Sequence, residues 1–316
     1  MLLSILLPTY NRVEDITRNL LLLINYIEKL HIKDSVEIII SDNFSPDNTV
    51  EKLNAIIEEN NFNIVIYKQS ENIGLEKNAL FVLEKAVGKY VMYIGDDDFI
   101  DMNYLKDVVS EIQLENAPTV ILNSILGVTK ENEIVGSRGI GEKRQRFKLG
   151  YAMASLKMYL GNQLSGMTFL RENTFESYKT NTVNNIYLFV YFIGFNMLRG
   201  DFLYITEYPV KVTEGAKKDW GYHYDGLLND LFRNYAVLFK GKPLLRAVAE
   251  IQTLINQPFR FGQYLNRGIK VILLHLKSIL ISKNISVITK ILYIPIILIK
   301  IFPIVLRKTI SRKIIK

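Results

Sequence analysis

The first 125 residues alternate in a way that few folds accommodate. Five short apolar runs, LLSILL (2–7), VEIIIS (36–41), FNIVIYK (62–68), KYVMYIG (89–95) and TVILNS (119–124), are rich in β-branched and aromatic residues and bounded by turn formers. Between them lie the amphipathic stretches 13–30, 47–60, 74–87 and 103–115. Strand alternating with helix predicts right-handed βαβ crossovers, and hence an α/β fold with a mainly parallel, Rossmann-like sheet carrying helices on both faces. Asp47, followed by Glu51 and the apolar Leu53, Ile56 and Ile57, reads as a capped helix start.

Ligands of such sheets bind outside the carboxyl ends of the strands. Four polar clusters fall at that edge: PTYN (8–11), SDNFSPD (41–47), ENIG (71–74) and GDDD (95–98). The last raises the sharpest question. Asp96, Asp97 and Asp98 repel one another, and a fold that keeps them together needs positive charge among them. A hard divalent cation suits the position, because magnesium and manganese favour one or two carboxylates completed by phosphate oxygens and water. The plainer alternative is that the triplet caps the helix beginning near Asn103. Its place after a buried-looking strand, beside three other polar loops, favours the cation.

The 316-residue chain is 49% hydrophobic, enough for one large α/β domain or two modest ones, and it has no cysteine. Disulfides and thiolate metal sites are therefore excluded, which fits a reducing compartment. MLLSILLPTYNR has no basic stretch ahead of its short apolar run, which breaks at Pro8; it reads as a buried first strand rather than a secretory signal. Further along, 125–147 predicts a hairpin or loop, LSGMTFLREN (164–173) a strand running into a helix, and 174–240 a less regular region. From about residue 243 the pattern is helical.

Net charge is +7, but Ile251–Lys316 holds twelve Lys and Arg and no acid, which leaves −5 for residues 1–250. A mildly acidic body with a basic, oily tail points to a polyanionic partner at one end. In 268–316 the pairs Lys270/Lys277 and Lys283/Lys290 are each seven apart, with leucine and isoleucine between. That is the pattern of amphipathic helices lying in a membrane interface. Each cation near an anionic surface adds about 1 kcal/mol. The rival is a membrane span over Ile291–Leu306, sixteen residues interrupted by Lys300, Pro295 and Pro303, where about 20 apolar residues are needed. Packing on the body or in an oligomer is a third reading, and twelve cations without an acidic partner argue against it as the whole role. A nucleic-acid partner is disfavoured, because the cations lie on the oily tail without interleaved stacking aromatics.

With its four rim motifs in order, the sequence resembles the family 2 glycosyltransferases, which have the GT-A fold, over roughly residues 1–175. SILLPTYNR looks like the family's opening strand and nucleotide loop. SDNFSPDNT is similar to its second-strand motif, usually two acidic residues followed by Gly-Ser-x-Asp. ENIGLEKN matches the Asn-x-Gly element, and GDDD the metal-binding D-x-D. The resemblance implies that Pro8, Tyr10 and Asn11 lie along the nucleoside, with Asp42 on the base edge. Asn72, Gly74 and Lys77 then shape the pocket floor, and Asp97 faces the ribose or sugar. Asp98, joined by Asp96, is the implied holder of Mn2+ or Mg2+ against the diphosphate. His223 is a late histidine of the kind the family recruits to metal or phosphate; an ordinary surface or packed role is its alternative. Lys217 and Lys218 could clamp phosphate or be a solvated pair, and Trp220 reads as core ahead of a sugar platform.

This sequence departs from the family pattern at Asn43, where a second acid is usual, and at TVNNIYLFV. There Asn184 and Asn185 stand where an inverting enzyme keeps the carboxylate that accepts the acceptor's proton, which an amide cannot do. Glu176, Glu214, Asp219 and Asp225 are the candidate bases, and a retaining outcome is the alternative. The implied organisation is a nucleotide-sugar half (1–124), an acceptor half (125–242) and a membrane-associating tail (243–316). The implied function is sugar transfer from a nucleotide-diphosphate donor to a lipid-linked glycan at the cytoplasmic face of the cell membrane. Bacterial O-antigen, capsule or lipooligosaccharide assembly is the implied setting. A sugar nucleotidyltransferase and a membrane-bound scaffold with a degenerate site are the competing readings; the first lacks its early Gly-rich phosphate loop here.

Overall fold

A computed structural model describes residues 1–60, 62–181, 183–213, 226–257 and 269–314. The chain divides into two compact units, Met1–Leu149 with Gln163–Lys217, and Gly150–Asn162 with Lys218–Lys316. The first unit is built on a nine-stranded sheet. Strands β1 (Leu3–Thr9), β2 (Val36–Asp42), β3 (Ile64–Lys68) and β4 (Tyr90–Tyr93) are its parallel part, in the order β3-β2-β1-β4. Every residue of β1, β2 and β4 is buried, which is why these runs are apolar throughout instead of alternating.

The crossovers are α1 (Val13–Lys29), α2 (Thr49–Glu59), α3 (Leu75–Lys85) and α4 (Met102–Ile112). In α1 the residues Ile16, Leu20, Leu23, Ile24 and Ile27 share one helical face and are all buried. The cap of α4 is Asp101, whose carboxylate accepts from the Asn103 amide at 2.7 Å. The Asp96–Asp98 triplet is therefore not that helix's cap.

The second half of the sheet departs from the mainly parallel expectation. Strand β8 (Thr168–Leu170) inserts antiparallel between β4 and β5 (Val120–Val128). Strand β9 (Phe202–Thr213) runs parallel to β5, and β6 (Ile134–Arg138) and β7 (Gln145–Phe147) pair antiparallel with β5 and β9. The hairpin expected in 125–147 is thus formed by β5 and β6. Residues 174–240, expected to be less regular, contain α6 (Thr174–Thr180), α7 (Leu188–Met197), the twelve-residue β9 and α8 (Gly226–Leu238). Two local features hide this order. Pro209 interrupts β9 where the β5 register jumps from Asn123↔Ile205 to Ile125↔Val210. Helix α7 is apolar all round and so shows no helical period.

At the amino edge of the parallel strands, Ser4, Glu37 and Gly88 form a buried polar knot. Ser4 Oγ donates to Glu37, and the Gly88 amide donates to Ser4 Oγ at 2.8 Å and to Glu37 at 3.2 Å. A Cβ on Gly88 would lie 2.6 Å from the Ser4 backbone nitrogen and 2.8 Å from the Tyr90 carbonyl oxygen.

The second unit comprises α5 (Tyr151–Lys157), α8, α9 (Pro243–Asn256), α10 (Ile269–Ile281) and α11 (Val287–Ile314). Buried Glu250 accepts from Arg246 Nε at 2.8 Å and from the Ser286 amide at 3.0 Å, fastening the start of α11 to α9. His275 of α10 bonds Tyr293 of α11 at 2.5 Å, both buried. Thr289 and Tyr293 face inward, whereas Val287, Ile291, Ile294 and Leu298 form an exposed apolar stripe on the opposite side of α11. Among the described residues no helix is long and apolar enough to cross a membrane.

Replacing Gly88 with alanine forces the polar knot apart. Urea denaturation is expected to show a loss of about 1–3 kcal/mol; the knot lies at the edge opposite the rim loops.

Candidate active site

Each parallel strand hands its chain to a polar turn at the carboxyl edge, and these turns are tied to one another. After β1, Asn11 adopts a left-handed conformation (φ 54°), and its amide donates to Ser45 Oγ at 2.7 Å. After β2, fully buried Asp42 accepts from the Ser45 amide at 3.1 Å and from the Ser45 hydroxyl. The Asn43 amide donates to the Thr9 carbonyl at 2.9 Å. Its side chain donates to Asn72 Oδ1 at 2.9 Å and accepts from the Ile73 amide at 2.9 Å. After β3, Asn72 Oδ1 also accepts from the Gly74 amide, and Gly74 sits at φ 83°, where a side chain would be strained. Asp47 accepts from the Val13 amide at 3.1 Å and so serves the start of α1 as well as that of α2.

The acidic turn after β4 is the centre of this edge. Thr9 Oγ1 donates to Asp96 Oδ2 at 2.9 Å. One nitrogen of the Arg12 guanidinium lies 2.8 Å from Asp96 Oδ1 and 2.6 Å from Asp97 Oδ2. Asn19, buried in α1, holds the turn's backbone by donating to the Gly95 and Asp98 carbonyls at 3.1 and 2.8 Å. Asp98 is secured by neutral donors: Ser165 Oγ on one oxygen and the Thr213 amide, at 3.0 Å, on the other. Gly95 permits this packing, because a Cβ there would come within 3.0 Å of Asp98 Oδ2. A two-way backbone bridge between Phe99 and Lys211 (2.9 and 2.8 Å) brings the end of β9 to the turn.

The three carboxylates thus have different electrostatics. Burial pushes the Asp96 carboxyl up to about 6; Arg12 opposes the shift and Asp97 adds to it. Burial pushes Asp98 further, to about 7, with Asp97 adding to the rise while Ser165 and Thr213 resist it. Among the described residues no cation pairs with Asp98, which is 6% exposed. The described residues contain no cluster of three or more His, Asp or Glu able to enclose a metal by themselves. A magnesium or manganese ion completed by phosphate oxygens and water needs only one or two protein carboxylates, and the donor set at Asp98 fits that requirement.

The residues singled out in the sequence fall into three groups. Pro8 and Asp42 are buried at the carboxyl ends of β1 and β2, Tyr10, Asn11, Asn72 and Gly74 lie on the carboxyl-edge turns, and Lys77 lies in the first turn of α3, with Asn72, Gly74 and Lys77 exposed. Glu176 is exposed in the first turn of α6, and no hydrogen bond or ion pair joins it to the acidic turn. Glu214, Lys217, Lys218, Asp219, Trp220, His223 and Asp225 lie outside the described residues. Asn185, one of the amides at the expected base position, is buried. Its amide donates to Tyr178 Oη at 3.1 Å and its side chain accepts from the Tyr187 amide at 2.8 Å, just ahead of α7.

Arg12, Thr9, Ser165 and Thr213 were not singled out by sequence reasoning. Arg12 was visible as the one cation in PTYNR; nothing in the local sequence marks Ser165 or Thr213, which reach the site only through β8 and β9. A further feature is Phe44, which adopts φ 65° and is 51% exposed. A left-handed conformation costs a residue with a Cβ about 1–2 kcal/mol.

Comparison with known proteins places these motifs. The model of glycosyl transferase family 2 matches residues 4–178, more than half of the chain. The chain belongs to that family. It is 40% identical over 98 residues to the abequosyltransferase RfbV of Salmonella typhimurium strain LT2, covering 31% of this chain and 28% of that protein. It is 30% identical over 129 residues to the poly(ribitol-phosphate) beta-N-acetylglucosaminyltransferase TarS of Staphylococcus aureus, covering 40% of this chain and 21% of that one. These matches therefore span less than a third of either relative's length. Among solved structures, S. aureus TarS 1-349 in complex with UDP-GlcNAc superposes with a TM-score of 0.67 at 17% identity, over 88% of this chain and 80% of that one. The fold is the GT-A fold.

The two raised carboxyl groups fix the sign of a pH effect. Each ionises near 4 in the unfolded chain and near 6 or 7 in the folded one. Protonation therefore favours the folded state, and the contribution is lost as pH rises through the folded values. In chelator, thermal stability is expected to fall between pH 5 and pH 8 relative to Asp98→Asn, whose profile should be flatter. Manganese should restore the loss at pH 8 in the parent protein only.

Proposed function

We propose that this chain is a glycosyltransferase that moves a sugar from a nucleotide-diphosphate donor to a glycan acceptor in bacterial surface polysaccharide assembly. The observation that carries the reading is Asp98, a buried carboxylate without a cationic partner among the described residues. It sits on the same sheet edge as the interlocked turns of Asp42, Asn43 and Asn72. Family membership supports the reaction class. The complexes of TarS with UDP-GlcNAc and with UDP support the donor class by likeness of fold.

In this reading the turns after β1, β2 and β3 receive the nucleoside, and the turn after β4 receives the diphosphate. Asp98 would hold Mn2+ or Mg2+. A bound divalent ion supplies charge stabilisation to the diphosphate leaving group as its bond to the sugar weakens. Arg12 keeps Asp96 and Asp97 from repelling each other and from capturing the ion at a second position. Ser165 and the Thr213 amide fix the orientation of the Asp98 carboxylate, so that it need not reorganise during the reaction.

The second unit supports an acceptor presented at a membrane surface. The stripe Val287, Ile291, Ile294 and Leu298 is exposed, and the chain from Ile251 onward is basic without an acid. A helix of this kind lies in the interface of an anionic bilayer. A lipid-linked acceptor would keep its reacting end there. The absence of cysteine fits the cytoplasmic face.

Thermal-shift titration with UDP-, GDP-, CDP- and dTDP-sugars in manganese tests the donor assignment. One nucleotide sugar is expected to raise the melting temperature by several degrees, and Asp98→Ala should abolish most of that shift while remaining folded; no stabilisation by any donor would refute the assignment. In a vesicle sedimentation assay the full chain is expected to pellet with anionic vesicles, and Ile291→Glu/Leu298→Glu to remain about tenfold more in the supernatant. Equal pelleting of the two proteins would rule out the α11 stripe as the membrane contact.

A further inference from the structure

The turn after β2 contains a side chain that its backbone disfavours. Phe44 has φ 65°, in the region where glycine is unstrained and a bulky residue is not. The neighbours leave it no room to relax. Asp42 is bonded to both the amide and the hydroxyl of Ser45, Asn43 to the Thr9 carbonyl and to Asn72, and Ser45 Oγ to the Asn11 amide at 2.7 Å. The turn therefore fixes Phe44 from both sides. Its ring is half exposed on the rim, and among the described residues it has no aromatic or cationic partner. A strained, solvent-facing aromatic gains nothing in the free protein, and such outliers persist where a ligand uses them.

We infer that Phe44 is an affinity-determining contact of the donor site, and that its ring packs on the nucleobase. This rests on the donor-site reading above. Position selects the base over the other parts of the ligand. Phe44 follows β2, and the acidic turn follows β4, with β1 between them. Two strand spacings, about 10 Å, separate the two turns, which is of the order of the distance between the base and the diphosphate of a nucleotide. The loops bonded to the Phe44 turn are those after β1 and β3, on the side of the sheet away from β8, β5 and β9. A flat hydrocarbon ring meets a heterocycle face to face or edge to face, and such stacking is insensitive to the base's hydrogen-bonding pattern. Phe44 would therefore set affinity for the base while neighbouring polar groups read its edge.

The test measures melting temperature and affinity on the same proteins. The full chain, Phe44→Gly and Phe44→Tyr are each titrated calorimetrically with UDP, GDP, CDP and dTDP in manganese. Phe44→Gly is expected to melt at the same or a higher temperature, because the strain is relieved. It should bind the preferred nucleotide about ten- to a hundredfold more weakly, while Phe44→Tyr stays within about threefold of the parent. Parent-like affinity in Phe44→Gly, or a clear drop in its melting temperature, would overturn the inference while leaving the donor site intact. Failure of the parent protein to bind any of the four would instead overturn the donor-site reading, and this inference with it.

Discussion

The guanidinium of Arg12 is the charge on which the carboxyl edge depends. Three consecutive aspartates at the end of a buried strand would drive their turn into solvent, and a single cation set against two of them keeps it folded inward. Thr9 ends β1 and Arg12 lies three residues further on, and β1 pairs with β4 from Leu3↔Tyr90 to Leu6↔Tyr93. The register of that pair therefore delivers the hydroxyl and the guanidinium to Asp96 together. Burial disfavours the Arg12 charge, but Asp96 and then Asp97 outweigh it, so the guanidinium is held more firmly charged than a free one.

Arg12 pairs with Asp96 and Asp97 and leaves Asp98 to neutral donors. A hydroxyl and an amide stabilise a carboxylate without discharging it, so Asp98 retains its demand for a cation in a dry setting, where such a demand is strong. In the proposed reading, the same burial that makes the charge costly to the fold would make it effective toward an ion carrying a diphosphate. With that proposed role, stability and function would oppose each other at this one residue.

Strands β1, β2 and β4 were legible because burial on both faces leaves a continuous apolar signal, and α1 because one buried face leaves a helical period. The four rim motifs were legible because special backbone conformations, at Asn11 and Gly74 among others, favour asparagine and glycine. What was hidden depends on contacts distant in sequence. Thr213 reaches Asp98 across 115 positions and Ser165 across 67, and β9 is masked by the irregularity at Thr206–Pro209. Arg12 was in plain view, yet the acids invited a metal before a side chain. Asn185 illustrates the reverse case: an amide read for its inability to act as a base serves the backbone ahead of α7.

The most direct measurement is anomalous diffraction at the manganese edge from crystals grown with manganese and the preferred nucleoside diphosphate. A single strong peak against the Asp98 carboxylate, with Arg12 still paired to Asp96 and Asp97, is the expected result. A nucleotide seated along Asp42 and Asn72 with no metal at Asp98, or an ion displacing Arg12 from Asp96 and Asp97, would contradict the division of labour among the three aspartates.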